Sequence, residues 1–209
     1  MELPNEFLTP SKVLDFDSET HTYRLDGVVL PSVTRLMEPL KTDTYGGIPD
    51  YVMDAAARRG TSVHEAIDLF LSVGVSDISD EYAGYFEAWM QWFDAVNPNV
   101  KMTETLIYHP TLRYAGTVDC VCEIGGKTVL IDWKTTASMN ENLVRVQLQA
   151  YQSALKAIGV NVDEKRVVQI RDGKYAEKVY EGEDTEAWRV FLSLKTIWDY
   201  TQKYTKGRR

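Results

Sequence analysis

The stretch VDCVCEIGGKTVLIDWK, residues 118–134, holds two runs of alternating character separated by Gly125-Gly126. Two glycines between alternating runs read as a β-hairpin with a two-residue loop. If Ile124 faces Lys127, stepping back along both strands brings Asp119 opposite Asp132. Strand alternation then collects Thr117, Asp119, Val121 and Glu123 on one face with Thr128, Leu130, Asp132 and Lys134. The other face collects Val118, Cys120, Cys122 and Ile124 with Val129, Ile131 and Trp133, a nearly unbroken apolar surface. That surface supports the register, because a slip of one strand by one residue would turn its apolar set outward.

Directly opposed like charges destabilise a strand pair, so Asp119 and Asp132 need a neutralising partner. Lys134 alone is one reading. The other is a hard divalent cation held between the carboxylates with Lys134 beside it, and oxygen ligands favour magnesium or manganese over zinc. The cysteines, Cys120 and Cys122, stand too close along a strand to form a disulfide and read as small buried hydrophobes in a reducing cytoplasm.

Outward from the hairpin, the period of the pattern divides the chain into helices and strands. Asp26-Gly27 between β-prone runs predicts a tight hairpin over residues 20–30, and Pro31-Ser32 opens a short helix through Leu36. Val63, Ala66, Ile67, Phe70 and Leu71 are spaced for a helix over 50–73, with Gly60 as a kink or break and Gly74 as its stop. A second helix over 80–96 carries aromatic residues that read as core packing. Strands are expected over 101–109, 114–124 and 127–135, a helix over 141–158, strands over 166–171 and 175–180, and a final helix over 184–204. The expected fold is mixed α/β with a central sheet and helices on it.

The chain has 209 residues, 44% of them hydrophobic, enough for a substantial core in one domain. Its opening residues contain no apolar signal-like run and no stretch is long enough to span a bilayer, so neither standard secretion nor a membrane span is expected. The net charge of −8 argues against bulk electrostatic attachment to nucleic acid. The last turns reverse that sign: Lys195, Lys203, Lys206, Arg208 and Arg209 face only Asp199, as a solvated helix end or as a phosphate contact. Two further features have ordinary and functional readings. His64 lies beside the apolar stripe of its helix, as a core histidine or a ligand, and Gln147 and Tyr151 share a helix face.

Four stretches in order, GTSVHEA, YAGTVDCV, IDWKT and QLQAY, together with the lead-in HTYRLDGVVLPSVT, make the chain resemble the PD-(D/E)XK nuclease superfamily, in its RecB-like exonuclease branch carried by phages and prophages. The resemblance implies a restriction-endonuclease-like core, with a central mixed β-sheet flanked by helices, in one nuclease domain over 1–209. Residues 1–49 would form the N-terminal hairpin and lead-in, and 50–209 the core. It implies His64, Asp119 and Asp132 as ligands of Mg2+ or Mn2+, with the Trp133 carbonyl completing the shell. Lys134 would be the catalytic lysine, and Gln147 and Tyr151 would position DNA or support the site. Glu104 is an outer candidate, either an exposed strand glutamate or a contact to a second metal. Arg58, Arg59, Arg113 and the C-terminal cations are candidate phosphate contacts. No proline precedes Asp119, and the motif acid is Asp132 where glutamate is the commoner choice. The function implied is a metal-dependent DNA exonuclease of recombination or repair in the bacterial cytoplasm, with DNA as partner. A phage single-strand annealing protein and a homo-oligomer are further partners in that setting. A structure-specific endonuclease and a catalytically silent DNA-binding pseudonuclease are the alternatives.

Overall fold

The structure is a computed structural model and describes residues 14–45 and 47–205. Three short strands, β1 (Leu14–Asp17), β2 (Thr22–Leu25) and β3 (Val28–Leu30), form an antiparallel meander. Helices α1 (Val33–Leu36), α2 (Glu38–Tyr45), α3 (Asp50–Val73) and α4 (Ala83–Val96) follow. A long antiparallel run of β4 (Asn99–His109), β5 (Tyr114–Ile124) and β6 (Lys127–Lys134) leads into α5 (Glu141–Ala157). Strands β7 (Glu164–Arg171) and β8 (Lys174–Glu181) and helix α6 (Thr185–Thr205) complete the chain. The main sheet has the order β4-β5-β6-β7-β8, antiparallel except for the parallel pair β6–β7. This is the mixed central sheet flanked by helices that the sequence predicts.

The turn at Gly125-Gly126 has φ of 57° and 80°, a left-handed pair that glycine adopts without a Cβ clash and that suits the twist of a two-residue hairpin. It fixes the expected register: Ile124 pairs with Lys127 and Cys120 with Ile131. Ser32 caps α1 by accepting from the Arg35 amide at 3.0 Å, and Asn140 caps α5 by accepting from Leu143 at 3.2 Å. Helix α3 keeps its predicted bounds, but Gly60 does not break it; the helix runs unbroken through that residue. Helix α2 and strand β1 were not anticipated by the hydrophobic pattern.

Two cores lie on opposite faces of the sheet. Val63 and Ile67 of α3 and Trp89 and Trp92 of α4 pack on Cys120, Cys122, Val129, Ile131 and Trp133. Val144, Leu148 and Tyr151 of α5 and Phe191 of α6 pack with Val121, Leu130 and Val167 on the other face. Val118 departs from the expected pattern. It belongs to the α5 core with Val121, although an odd separation along a uniform strand would send the two to opposite faces. The neighbouring strand shows why: Thr103 pairs with Cys120 and Thr105 with Val118, while the intervening Glu104 takes a left-handed φ of 39°. The pleat changes phase where Glu104 meets Asp119. The meander packs on this stretch through Leu14, Tyr23, Leu25 and Leu30 around Ala115, and the Ala115 amide donates to the Pro31 carbonyl at 3.0 Å.

Candidate active site

The change of pleat opens a cleft of about 390 Å³ between the main sheet, α3, α5 and the meander. The cleft brings His64, Glu104, Asp119, Asp132, Lys134, Gln147 and Tyr151 together. Strand β5 carries Asp119 to its floor, but the expected face-to-face pairing with Asp132 does not form. The ladder stops at Cys120–Ile131, and the Asp119 Oδ2 instead accepts the Trp133 amide at 2.8 Å. A backbone donor thus captures one carboxylate oxygen and leaves Oδ1 facing the cleft, 3.8 Å from His64 Nδ1.

His64, on the cleft side of α3, is held at both nitrogens. Nδ1 lies 3.3 Å from Glu104 Oε1, and Nε2 lies 3.2 Å from the Trp133 carbonyl. Burial opposes charging the ring, but the Asp119 and Glu104 carboxylates outweigh it and lift its pKa to about 9. When the ring is neutral, an Nε2–H donating to Trp133 leaves Nδ1 as a lone-pair donor aimed at the carboxylates. The Trp133 carbonyl, expected as a metal ligand, is engaged here by His64.

Asp132 is 2% exposed, and Lys134 Nζ sits 2.8 and 2.7 Å from its two oxygens. Only Oδ1 is aligned for a hydrogen bond; Oδ2 is a buried acceptor that receives none. Burial, reinforced by Asp119, pushes the Asp132 pKa up to about 6 against the pull of Lys134. Asp119 is also raised, by burial first and by Glu104, against His64 and Lys134.

One ligand atom each from His64, Glu104 and Asp119 lies within 4.8 Å of the others, a mixed nitrogen and oxygen set suited to a hard or borderline divalent cation. The buried Oδ2 of Asp132, lacking a hydrogen bond, is a further donor in the same cleft. The donor chemistry therefore fits a divalent metal. Glu104, ranked behind the other acids from sequence, stands among the convergent donors; its left-handed backbone turns it inward, and no residue pattern announces that.

Tyr151 and Gln147 lie on the cleft face of α5, with Gln147 Nε2 donating to the Tyr151 hydroxyl at 3.4 Å. Burial keeps the phenol well above its ordinary pKa, so it remains a donor. Gly116 permits the close packing: a Cβ there would lie 2.6 Å from Tyr151 Cε1. Arg59 does not project into open solvent. Its Nε donates to the Thr135 carbonyl at 3.2 Å and its guanidinium lies 5.3 Å from the Tyr85 ring centre, whereas Arg58 is exposed. Sequence reasoning missed Gln169 of β7, whose Nε2 donates to the carbonyls of Thr136 and Ala137 at 2.6 and 3.3 Å. Arg59 and Gln169 thereby hold from two sides the backbone that follows Lys134. The meander's Tyr23 reaches the cleft wall through its hydroxyl, 2.9 Å from Thr117 Oγ1. Of the C-terminal cations, Lys195 is buried on Asp199 at 2.6 and 2.5 Å, Lys203 is exposed, and Lys206, Arg208 and Arg209 lie outside the described residues.

Fold and cleft together define a mixed α/β protein with a buried carboxylate, histidine and lysine site. Its relatives are exonucleases. Over 129 residues, 52% of the chain, it is 30% identical to mitochondrial genome maintenance exonuclease 1 from Homo sapiens, 37% of which is covered. The protein of the same name from Xenopus tropicalis is 27% identical over 159 residues, 64% of this chain and 45% of that one. The chain spans less than half the length of these curated relatives. The alkaline exonuclease LHK-Exo from Laribacter hongkongensis has a solved structure that is 17% identical, covering 74% of this chain and 88% of that one, with a TM-score of 0.41. No family model matches the chain. Among the described residues, no helix is long and apolar enough to cross a membrane.

Proposed function

We propose that the chain is a divalent-metal-dependent deoxyribonuclease of the PD-(D/E)XK type that acts as an exonuclease. The observation that carries the reading is the convergence of His64 Nδ1 with Glu104 and Asp119 oxygens beside the Asp132–Lys134 pair. His64, Glu104, Asp119 and the Oδ2 of Asp132 would hold Mg2+ or Mn2+. When bound, such an ion polarises a phosphodiester oxygen and lowers the pKa of a coordinated water. Lys134, fixed by Asp132 at the end of β6, would orient the attacking water or neutralise charge developing on the phosphorane. Tyr151, kept protonated by burial, donates to a phosphate oxygen, and Gln147 sets the direction of its hydroxyl. Arg59 and Gln169 hold the backbone that follows Lys134, at Thr135, Thr136 and Ala137, from outside the reacting groups.

The relatives' names favour exonuclease over endonuclease action, and the intact set of acids and lysine favours turnover over a silent binding module. The resemblance to phage members carries the setting: recombination or repair of DNA in a bacterial cell, beside a single-strand annealing protein. The test is digestion of end-labelled linear DNA beside a covalently closed circle, with Mg2+ or Mn2+ and with EDTA. Loss of label from the linear substrate only, abolished by EDTA and by Lys134→Ala, is the expected result. Nicking of the circle moves the assignment to an endonuclease, and failure to cleave either substrate with either ion overturns the enzyme reading.

A further inference from the structure

A groove of about 1050 Å³ runs between the meander, the β4–β5 turn and α6. It shares His21, Ser32 and Thr34 with the catalytic cleft, so the two depressions adjoin across these residues. Its acids are already compensated. Glu38 is paired with Lys41 at 3.5 Å, and Asp199 with Lys195. Its two remaining cations, Arg35 and Arg113, are exposed and form no ion pair among the described residues. An acidic chain of net charge −8 thus places uncompensated positive charge in the groove that adjoins its cleft.

Two details point to a polymer ligand. Arg113 occupies a left-handed position, φ 54°, in the tight β4–β5 turn, where glycine or asparagine would fit with less strain. The chain accepts the strain and gains a guanidinium at the rim. Arg35 lies 5.9 Å from the centre of the half-buried Trp198 ring, so an aromatic face and a cation share one wall. Cations in a row with an aromatic ring are the elements that hold single-stranded nucleic acid, one for phosphates and the other for base stacking.

On the nuclease reading above, we propose that this groove is the track for the single strand that continues from the scissile phosphate, with Arg35 and Arg113 on its phosphates and Trp198 under a base. The track determines length preference and grip, while the chemistry stays in the cleft.

The test is binding of a fluorescein-labelled twelve-residue oligodeoxythymidylate by anisotropy, in EDTA, across a salt series. The Arg35→Gln/Arg113→Gln double variant is expected to weaken binding about tenfold at low salt. It should also flatten the slope of log Kd against log salt by about 1.4, the value for two phosphate contacts on a single strand. Arg35→Lys/Arg113→Lys should restore most of the affinity, and Lys174→Gln, at the start of β8 and outside the lining of both groove and cleft, should leave it within twofold. Unchanged binding and slope in the double glutamine variant overturn the proposal, as does an equal loss in Lys174→Gln, which would show attraction by bulk charge alone. Matching melting temperatures establish that the variants fold. Since binding is read without metal, the result stands whether or not the wild type cleaves DNA, and a failure of cleavage bears on the nuclease reading alone.

Discussion

Asp132→Asn separates the two roles that one carboxylate plays, because burial penalises its charge while catalysis requires it. The folded pKa of about 6 stands above the ordinary 3.8, so the folded state binds the extra proton between those values. The penalty is absent below pH 3.8, grows between 3.8 and about 6, and is complete above. At about 1.4 kcal/mol for each tenfold change in proton affinity, it amounts to roughly 3 kcal/mol at pH 7.5. That penalty is already net of the attraction of Lys134, so a neutral asparagine of the same shape removes all of it. The expectation is a metal-free variant more stable by about 3 kcal/mol. In a protein of this size that is a rise of about 6–12 °C in Tm. Calorimetry or fluorescence melting in EDTA at pH 7.5 reads it directly, and the advantage should narrow as the pH is lowered from 6.5 towards 5. Added Mn2+ at a hundredfold excess over Kd should stabilise the wild type by about 2.7 kcal/mol and the variant by much less, with cleavage lost. A variant that melts at or below the wild type in EDTA would refute the burial argument.

Three further outcomes are expected. Gly116→Ala should destabilise the fold by about 1–3 kcal/mol and impair cleavage, since its Cβ meets Tyr151 Cε1; adding Tyr151→Leu should recover stability but not activity, a coupling that urea denaturation measures and that additive losses would deny. Lys165 is buried, with Nζ on Gln149, Gln152 and the Gly182 carbonyl, and burial lowers its pKa from 10.5 to about 8. The charge penalty is therefore present below pH 8 and fades above it, so wild type should gain about 2 kcal/mol over Lys165→Met between pH 7.5 and 9.5, and parallel urea midpoints would contradict this. Ca2+ should raise the melting temperature while supporting little cleavage, because its looser coordination places water and phosphate less well; cleavage equal to that with Mg2+ would exclude the strict geometry assigned to the site.

Most of the frame was legible because the signals were local. Gly125-Gly126 set the β5–β6 register, and apolar spacing with Gly74 as a stop bounded α3 closely. What failed was long-range or hidden in backbone conformation. Alternation assumed a uniform pleat, so it misassigned Val118 and set Asp119 against Asp132; the inverted phase at Glu104 and the Trp133 amide made the actual arrangement. Helix α2 was missed because EPLKTDTY offers no apolar stripe, although a proline in the first turn is compatible with a helix. His64, Asp119, Asp132 and Lys134 do share one cleft. Gln169 could not be foreseen, because its partners are backbone carbonyls more than thirty residues away.

The left-handed Glu104 has a consequence for how this protein can change. Glycine would fit that backbone with less strain, and asparagine would sit more comfortably than aspartate at the buried position 132. A laboratory selection for thermal resistance alone would therefore favour substitutions that dismantle the cleft, whereas a selection for cleavage would retain both acids and seek its stability elsewhere. Variants evolved under the two regimes should diverge first at these positions, so that the mutational record of such an experiment would map the site without any assay of individual residues.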